Sequence, residues 1–231
     1  MSSHVLIVED ESKISAVLRD YFVQAGFRVD ALTRGDQDEA FVERAKPDLL
    51  LLDLQLPGKD GLEVCRALRA KGPSPAIIMV TARVEELDRL IGLEFGADDY
   101  VCKPFSPREV VARAKAILRR LEPRTDPGGV LRLGVLTLDR AAHRASIGEV
   151  ALTLTPLEFE LLAAMVEQPR RVWSRGALLE RAKGTDFAGY ERNIDGHVKN
   201  LRRKLGEHLG ERALIRSVYG VGYGLDSGAL E

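Results

Sequence analysis

The chain has 231 residues, with 45% hydrophobic residues, 30% charged residues and a formal net charge of −1. At roughly 100–200 residues per domain, this length allows one large domain or two small ones, and the composition is ordinary for a folded globular protein rather than a disordered chain. Two cysteines are too few for a secreted disulfide scaffold. No signal peptide is evident, and the apolar runs are far shorter than the about 20 residues that span a bilayer, so we expect a cytoplasmic protein with no membrane partner.

Apolar segments and amphipathic segments alternate five times in the first half of the chain. Continuous apolar runs are typical of strands buried on both faces of a parallel sheet, and helical periodicity is typical of crossover helices. The order predicts an α/β fold, a (βα)₅ doubly wound parallel sheet of the flavodoxin type. The predicted strands are residues 5–8, 27–31, 49–52, 76–80 and 100–102, and the predicted helices are residues 13–24, 36–46, 62–71, 85–95 and 106–121.

The pattern changes after residues 122–129, which hold two prolines and two glycines and are typical of a linker. We therefore predict domains at residues 1–121 and 130–231. In the second domain, strands and then helices indicate an α+β fold. Short strands are predicted in residues 131–138 and 144–154, with turns at residues 139–142 and 147–149. The predicted helices are residues 156–167, 174–182 and 192–205, and a hairpin at residues 215–225 closes the chain.

Acidic side chains directly follow two of the predicted strands: Glu9 and Asp10 follow the first, and Asp53 follows the third. Because the carboxyl ends of parallel strands meet at one rim, these acids require a cation, and Mg²⁺ is the natural hard ion for oxygen ligands. Thr81 and Lys103 follow the fourth and fifth strands. The set suits phosphoryl transfer to Asp53, with Lys103 and Thr81 holding phosphoryl oxygens. The alternative is that each residue is a local cap or a solvated charge.

These motifs resemble those of bacterial response-regulator receiver domains over residues 4–121. The resemblance rests on Glu9-Asp10, Asp53, Thr81-Ala82 and Lys103-Pro104-Phe105. It implies that Asp53 accepts phosphate from a histidine kinase and that the peptide bond before Pro104 is cis. It also implies Mg²⁺ ligation by Asp10, Asp53 and the Gln55 carbonyl, with Glu9 acting through water, and a switch pair formed by Thr81 and Tyr100.

Charged residues flank the fifth predicted strand. One interpretation is a solvated face, on which single ion pairs contribute little. The receiver resemblance instead implies a symmetric homodimer that forms on phosphorylation. Its interface would comprise Arg89, Glu94, Asp98, Asp99, Glu109, Arg113 and Arg120.

The predicted helix at residues 192–205 has an apolar stripe and an opposite face that is basic. At about 100° per residue, that face carries Arg192, Gly196, Lys199, Asn200 and Arg203. Arg can hydrogen-bond guanine, Asn can hydrogen-bond adenine, and Gly permits close approach to DNA. Seven basic residues against three acids between residues 192 and 216 also favour nucleic acid, although a solvated basic face is the alternative.

The second half is similar to the winged helix-turn-helix output domain of OmpR/PhoB-type response regulators over about residues 131–225. The similarity lies in residues 154–162, 174–179, 193–205 and 218–223. It implies promoter DNA with paired half-sites, helix 192–205 in the major groove, the hairpin near 217–221 at the minor groove, and a contact of loop 183–190 with RNA polymerase. The DNA-binding candidates are Arg192, Gly196, His197, Lys199, Asn200, Arg203, Ser217 and Tyr219.

Two residues depart from that family pattern. Gly196 stands where the family usually has a larger apolar residue, which weakens the helix by up to about 1 kcal/mol. Tyr219 stands where the wing commonly carries arginine, so the usual cationic contact to the minor groove is missing.

Two other functions use the same residues. A Mg²⁺-dependent hydrolase would need a second carboxylate two residues after the nucleophile, where this chain has Gln55. A constitutive DNA-binding protein would need no intact acidic cluster. We therefore predict a phosphorylation-dependent transcription regulator of a two-component system, and not an enzyme.

Overall fold

A computed structural model describes residues 2–71, 75–82, 96–121, 129–183, 194–210, 213–226 and 228. The chain separates into two compact units, Met1–Arg119 and Arg120–Glu231, and each has its own hydrophobic core. The predicted helix at 85–95 and most of the predicted linker lie outside the described residues.

The first unit is built on a sheet of five parallel strands in the order β2-β1-β3-β4-β5. This order confirms the doubly wound parallel sheet. The strands are β1 His4–Val8, β2 Arg28–Leu32, β3 Leu49–Leu52, β4 Ala76–Thr81 and β5 Asp99–Cys102. The helices are α1 Ser12–Gln24, a 3₁₀ turn Gly35–Gln37, α2 Asp38–Ala45, α3 Gly61–Ala70 and α4 Pro107–Leu121.

The central strands are buried along their whole length because their residues are almost all apolar. Every residue of β1, β3 and β4 is buried. In the register of the sheet, Val8 is opposite Leu52, and Thr81 is opposite Cys102. The residues that follow these strands therefore lie along one rim.

The described residues of the second unit form an antiparallel sheet, three helices and a C-terminal hairpin, which confirms the winged-helix class. Its first sheet has the order β6-β7-β8-β9, and its second has the order β10-β12-β11. The turn predicted at residues 147–149 is confirmed, because strands 144–147 and 150–152 flank it. Residues 131–138, predicted as one strand, instead form a hairpin, and β10 was not predicted. The elements are β6 Val130–Leu133, β7 Leu136–Asp139, β8 Arg144–Ile147, β9 Val150–Leu152, α5 Pro156–Glu167, β10 Trp173–Ser174, α6 Arg175–Lys183, α7 Ile194–Leu209, β11 Ile215–Val218 and β12 Gly222–Leu225.

Helix α7 packs on the core of the second unit through the predicted apolar stripe. All four stripe residues are almost fully buried: Ile194, Val198, Leu201 and Leu205. Trp173, at the entrance to α6, is also buried and packs in the same core. Among the helices of the described residues, none is both long enough and apolar enough to cross a membrane.

Candidate functional site

The rim of the parallel sheet gathers three carboxylates. Glu9 and Asp53 are only 2% and 4% exposed, whereas Asp10 is exposed. One oxygen of each lies within 4.8 Å of the others. The Asp53 amide donates to the Val8 carbonyl at 3.0 Å, and the Gln55 amide donates to Asp53 Oδ1 at 3.1 Å. Strand pairing thus fixes Asp53 and holds Gln55 beside it.

Lys103 places its ammonium among these acids. Its Nζ donates to Glu9 Oε1 and to Asp53 Oδ2 at 2.8 Å each, and to Glu11 Oε1 at 3.3 Å. Burial disfavours the charged form, but the hydrogen bonds to Asp53 and Glu9 outweigh burial and raise the pKa of Lys103. The backbone of Lys103 is held by the neighbouring strand β4, because its amide donates to the Thr81 carbonyl at 2.8 Å. The peptide bond between Lys103 and Pro104 is cis, as predicted.

The acidic pocket is compatible with Mg²⁺. Oxygen ligands and high negative charge are what this hard cation requires. Burial, the largest effect, raises the pKa of Glu9, and the charge of Asp53 raises it further, while the hydrogen bond from Lys103 opposes both. A divalent ion would therefore lower the cost of keeping both carboxylates ionised.

Two residues of the pocket were missed by the sequence argument. Glu11 contacts Lys103, and its amide donates to Glu9 Oε1 at 3.2 Å. Gly61 begins α3, and a Cβ built there would lie 2.1 Å from the Asp53 carbonyl oxygen. Glu11 could have been found from its place beside the acid pair. Nothing in the sequence indicates the close approach at Gly61.

Thr81 and Tyr100, the predicted switch pair, lie on adjacent strands. Thr81 ends β4, and Tyr100 is opposite Met79 in the register of β4 with β5. Both side chains are buried, at 0% and 1% exposure. Their proposed movement stays a prediction.

The predicted dimer interface needs a correction at two positions. Asp98 is 1% exposed and accepts hydrogen bonds from Arg69 Nη2 and the Ile77 amide, each at 2.9 Å. Asp99 is 0% exposed and pairs with Arg113 at 3.1 Å. Both carboxylates bind groups of their own unit and are buried, so they are not the open surface charges that were predicted.

The remaining interface candidates stay predictions. Arg113 is also buried, at 9% exposure, and it binds Glu109, one helical turn away in α4, with Nη2 at 2.7 Å from Oε1. Glu109 itself is exposed. Arg89, Glu94 and the side chain of Arg120 lie outside the described residues.

The candidate DNA face on α7 is smaller than predicted. Lys199 and Arg203 are exposed, and Asn200 is partly exposed. Gly196 and His197 are buried, the latter at 0% exposure, so the prediction that they face DNA is wrong. The first turns of α7 are therefore buried on a wider face than the apolar stripe alone would produce. Arg192 lies outside the described residues.

The C-terminal hairpin is tied to α7 by a polar network that was not predicted. Arg202 donates from Nε to the Ile215 carbonyl at 3.0 Å and from Nη2 to Ser217 Oγ at 2.8 Å. The Tyr223 hydroxyl donates to Asp195 Oδ1 at 2.6 Å. Both Ser217 and Tyr219, the predicted hairpin contacts, are exposed.

Two protein families match parts of the chain. A family described as "Response regulator receiver domain" matches residues 5–115, which include the acidic pocket. A family described as "Transcriptional regulatory protein, C terminal" matches residues 148–225, which include α7 and the hairpin.

Individual proteins are similar over almost the whole chain. Transcriptional regulatory protein BaeR of Escherichia coli O6:H1 is 48% identical over 219 residues, which are 95% of this chain and 91% of BaeR. Phosphate regulon transcriptional regulatory protein PhoB of Rhizobium meliloti is 44% identical over 229 residues, which are 98% of this chain and all of PhoB. The structure of response regulator DrrB, an OmpR/PhoB homologue from Thermotoga maritima, has a TM-score of 0.51 and 27% identity, and covers 97% of this chain and 99% of that one.

Proposed function

The chain belongs to the response regulators of the OmpR/PhoB type, which are transcription regulators, and from this membership we propose that phosphate on Asp53 controls its binding to promoter DNA. The receiver would occupy residues 1–121, the linker residues 122–129 and the DNA-binding domain residues 130–231. The protein would act in the cytoplasm, with a sensor histidine kinase as phosphodonor.

The observation that carries the proposal is the position of Lys103 Nζ, at 2.8 Å from both Glu9 and Asp53. A carboxylate oxygen of Asp53 attacks the phosphorus of a phosphohistidine, the new O–P bond forms, and the N–P bond breaks with the electron pair left on the imidazole. Lys103 then pairs with one phosphoryl oxygen, and the Thr81 hydroxyl donates to another. Mg²⁺ held by Asp10, Asp53 and the Gln55 carbonyl, with Glu9 acting through water, would neutralise charge on the remaining oxygens.

The residue two positions after Asp53 argues against an enzyme with turnover. A phosphatase that works through an aspartyl phosphate has a carboxylate at this position as general acid and base, whereas Gln55 has a neutral amide. The aspartyl phosphate therefore hydrolyses slowly, and the protein takes part only in its own phosphorylation and dephosphorylation.

Phosphorylation acts, in this proposal, through a receiver homodimer. Thr81 and Tyr100 transmit the change to the face that carries Glu109 and Arg113, together with Arg89, Glu94 and Arg120. Two DNA-binding domains are then held close together and bind paired half-sites with a higher effective concentration. Lys199 and Arg203 would contact DNA phosphates, and Asn200 and Arg192 would contact base edges. The loop at residues 183–190 would contact RNA polymerase.

The test is the molecular mass in solution with Mg²⁺, before and after beryllofluoride or an acyl phosphate is added. Wild type is expected to shift from monomer to dimer, and Asp53→Ala is expected not to shift. Asp20→Ala, which removes an exposed acid of α1, is the matched control and should behave as wild type. A shift in Asp53→Ala would remove Asp53 as the acceptor, and no shift in any variant would remove the dimer.

A further inference from the structure

The segment that enters α2 is interlocked with the loop that leads from β3 to α3. The Gly35 amide donates to the Pro57 carbonyl at 3.2 Å. A Cβ on Gly35 would lie 2.0 Å from the Lys59 carbonyl oxygen, and a Cβ on Gly58 would lie 2.7 Å from Asp36 Cγ. A side chain at either glycine would push the two segments apart. Because the contact is this close, a shift of one segment is passed to the other.

Asp38, the first residue of α2, has its carboxyl group sealed from solvent at this contact. It is 0% exposed, and within the described residues neither of its carboxyl oxygens receives a hydrogen bond. The charged groups that act on it are Asp36 and Glu39 on its own segment and Lys59 on the loop. Burial, and then the charges of the two acids, raise the pKa of Asp38 to about 7. A buried charge without a donor is costly, so ionisation demands a new partner.

Lys59 is the cation that can pair with this buried acid once it ionises. Its Nζ binds Glu39, and both side chains are less than a third exposed. Arg34, the cation beside the same loop, is held by two hydrogen bonds to Asp36. Glu39 keeps a second partner in Lys71, at 2.9 Å. Lys59 can therefore leave Glu39 without leaving that carboxylate unpaired.

The loop that carries Lys59 is short and is bonded to the acidic pocket at its start. The Gln55 amide donates to Asp53 Oδ1 at 3.1 Å, and the Gly61 amide donates to the Leu54 carbonyl at 3.0 Å. Lys59 lies four residues after Gln55 and two before Gly61. A displacement of Lys59 therefore acts on both ends of the loop, including the residue next to the phosphoacceptor.

We propose that Lys59 exchanges from Glu39 to Asp38 when the latter loses its proton. This exchange moves the loop and slows the phosphorylation of Asp53 above neutral pH. The proton passes to solvent, and the ammonium follows the new charge inward. The loop moves with it and displaces the Gln55 carbonyl from the place where it would bind Mg²⁺. The inference rests on the proposed phosphorylation of Asp53 and adds its regulation by pH.

The first test is an NMR titration of the full chain between about pH 5 and about pH 9, which reads the carboxyl carbon of Asp38 and the amide of Gly61 separately. In wild type, both signals are expected to titrate with the same midpoint. In Asp38→Asn, the Gly61 step should disappear. In Lys59→Met, the Asp38 step should persist at higher pH because a nearby cation is lost, but the Gly61 amide should no longer follow it.

The second test is the rate at which acetyl phosphate with Mg²⁺ phosphorylates Asp53. Each rate is divided by the rate of Asp38→Asn at the same pH, which cancels the effect of pH on the donor and on the other acids of the pocket. The wild-type ratio is expected to fall about threefold from about pH 6 to about pH 8. Lys59→Met should keep a constant ratio. Asp20→Asn, which changes an exposed acid of α1, should follow wild type.

The outcomes separate this inference from the function on which it rests. A flat wild-type ratio with normal phosphorylation would overturn the inference and leave the proposed function intact. A Gly61 step that survives in Lys59→Met would mean that the loop responds without exchange of the ammonium, and it would also overturn the inference. If Asp53 gains phosphate in no variant, the proposed function fails and the inference fails with it. If Asp38→Asn does not fold, comparison of the Gly61 step in wild type and Lys59→Met still decides.

Discussion

At the scale of single residues, Lys103 is the cation that balances two buried carboxylates, Glu9 and Asp53. Removing one partner of a buried ion pair leaves uncompensated charge and is strongly destabilising. We expect Lys103→Gln to lower the melting temperature by several degrees without divalent ions. Mg²⁺ should then raise the melting temperature of the variant more than that of wild type, because no ammonium competes for the acids.

Thermal unfolding with and without Mg²⁺ measures both effects of Lys103→Gln. Lys71→Gln is the control, because Lys71 is about half exposed and pairs with Glu39 and Glu43 at the surface, where ion pairs contribute little. An equal Mg²⁺ response in wild type and Lys103→Gln would mean that the lysine and the metal do not share the same carboxylates.

Asp38 is a buried acid for which the described part of the chain offers no hydrogen-bond partner. It is 0% exposed at the start of α2. Burial, and then the charges of Asp36 and Glu39, raise the pKa of Asp38 from 3.8 to about 7, and Lys59 opposes them. Because the folded state keeps a proton that the unfolded chain has already lost, Asp38 makes the protein less stable as the pH rises from 3.8 to about 7.

Asp38→Asn should remove this pH dependence. The variant is expected to gain stability relative to wild type as the pH rises, and the gain should level off above about pH 8. Urea unfolding at several pH values measures the difference, with Asp20→Asn on the exposed face of α1 as the control. A constant difference between Asp38→Asn and wild type across this range would show that Asp38 does not titrate there.

At the scale of elements, a buried ion pair joins α5 to α7. Lys204 Nζ lies 2.6 Å from Glu158 Oε2, and the Glu158 side chain is 1% exposed. The same oxygen accepts from the Thr155 amide at 2.8 Å and completes a capping box, so Glu158→Gln can keep the cap while losing the charge. Lys204→Met should cost about 3 kcal/mol in wild type and much less in Glu158→Gln.

Urea unfolding of the four combinations of Glu158→Gln and Lys204→Met gives the coupling energy directly. Arg203→Met is the neighbouring control, because Arg203 and Glu207 form an exposed pair whose loss should cost under about 1 kcal/mol. Additive effects of Glu158→Gln and Lys204→Met would show that the pair does not hold α7 on α5.

Helices and strands whose ends are marked by neighbouring residues in the sequence were predicted well. Elements that exist only through pairing with residues far along the chain were not. Helix α5 begins where predicted because Thr155, Pro156 and Glu158 define its start within four residues. Strand β10 was missed because its two residues have no periodicity and exist only through pairing with β12. Periodicity also placed Gly196 on the open side of α7, where it is buried, since periodicity gives the direction of a residue but not what covers it.

At the scale of the whole chain, strand order explains why the acidic pocket could be predicted, whereas the burial of two residues of the proposed dimer face could not. Alternating strands and helices bring Asp53 and Lys103 to one rim whatever the details of the loops. Asp98 looked like a surface charge in the sequence, because its partner Arg69 lies 29 residues away on α3. Contacts between distant residues decide burial, and a single sequence does not display them.

The proposed link between the two units makes a prediction that neither unit makes alone. If phosphate acts by pairing two chains, beryllofluoride should raise the affinity for a duplex with two half-sites by at least about tenfold. It should leave the affinity for the same duplex with one half-site scrambled unchanged, because a single site gains nothing from effective concentration. Fluorescence anisotropy of both duplexes with wild type and Asp53→Ala measures this, and Asp53→Ala should respond on neither. An equal gain on both duplexes would instead mean that phosphorylation frees the DNA-binding face within one chain.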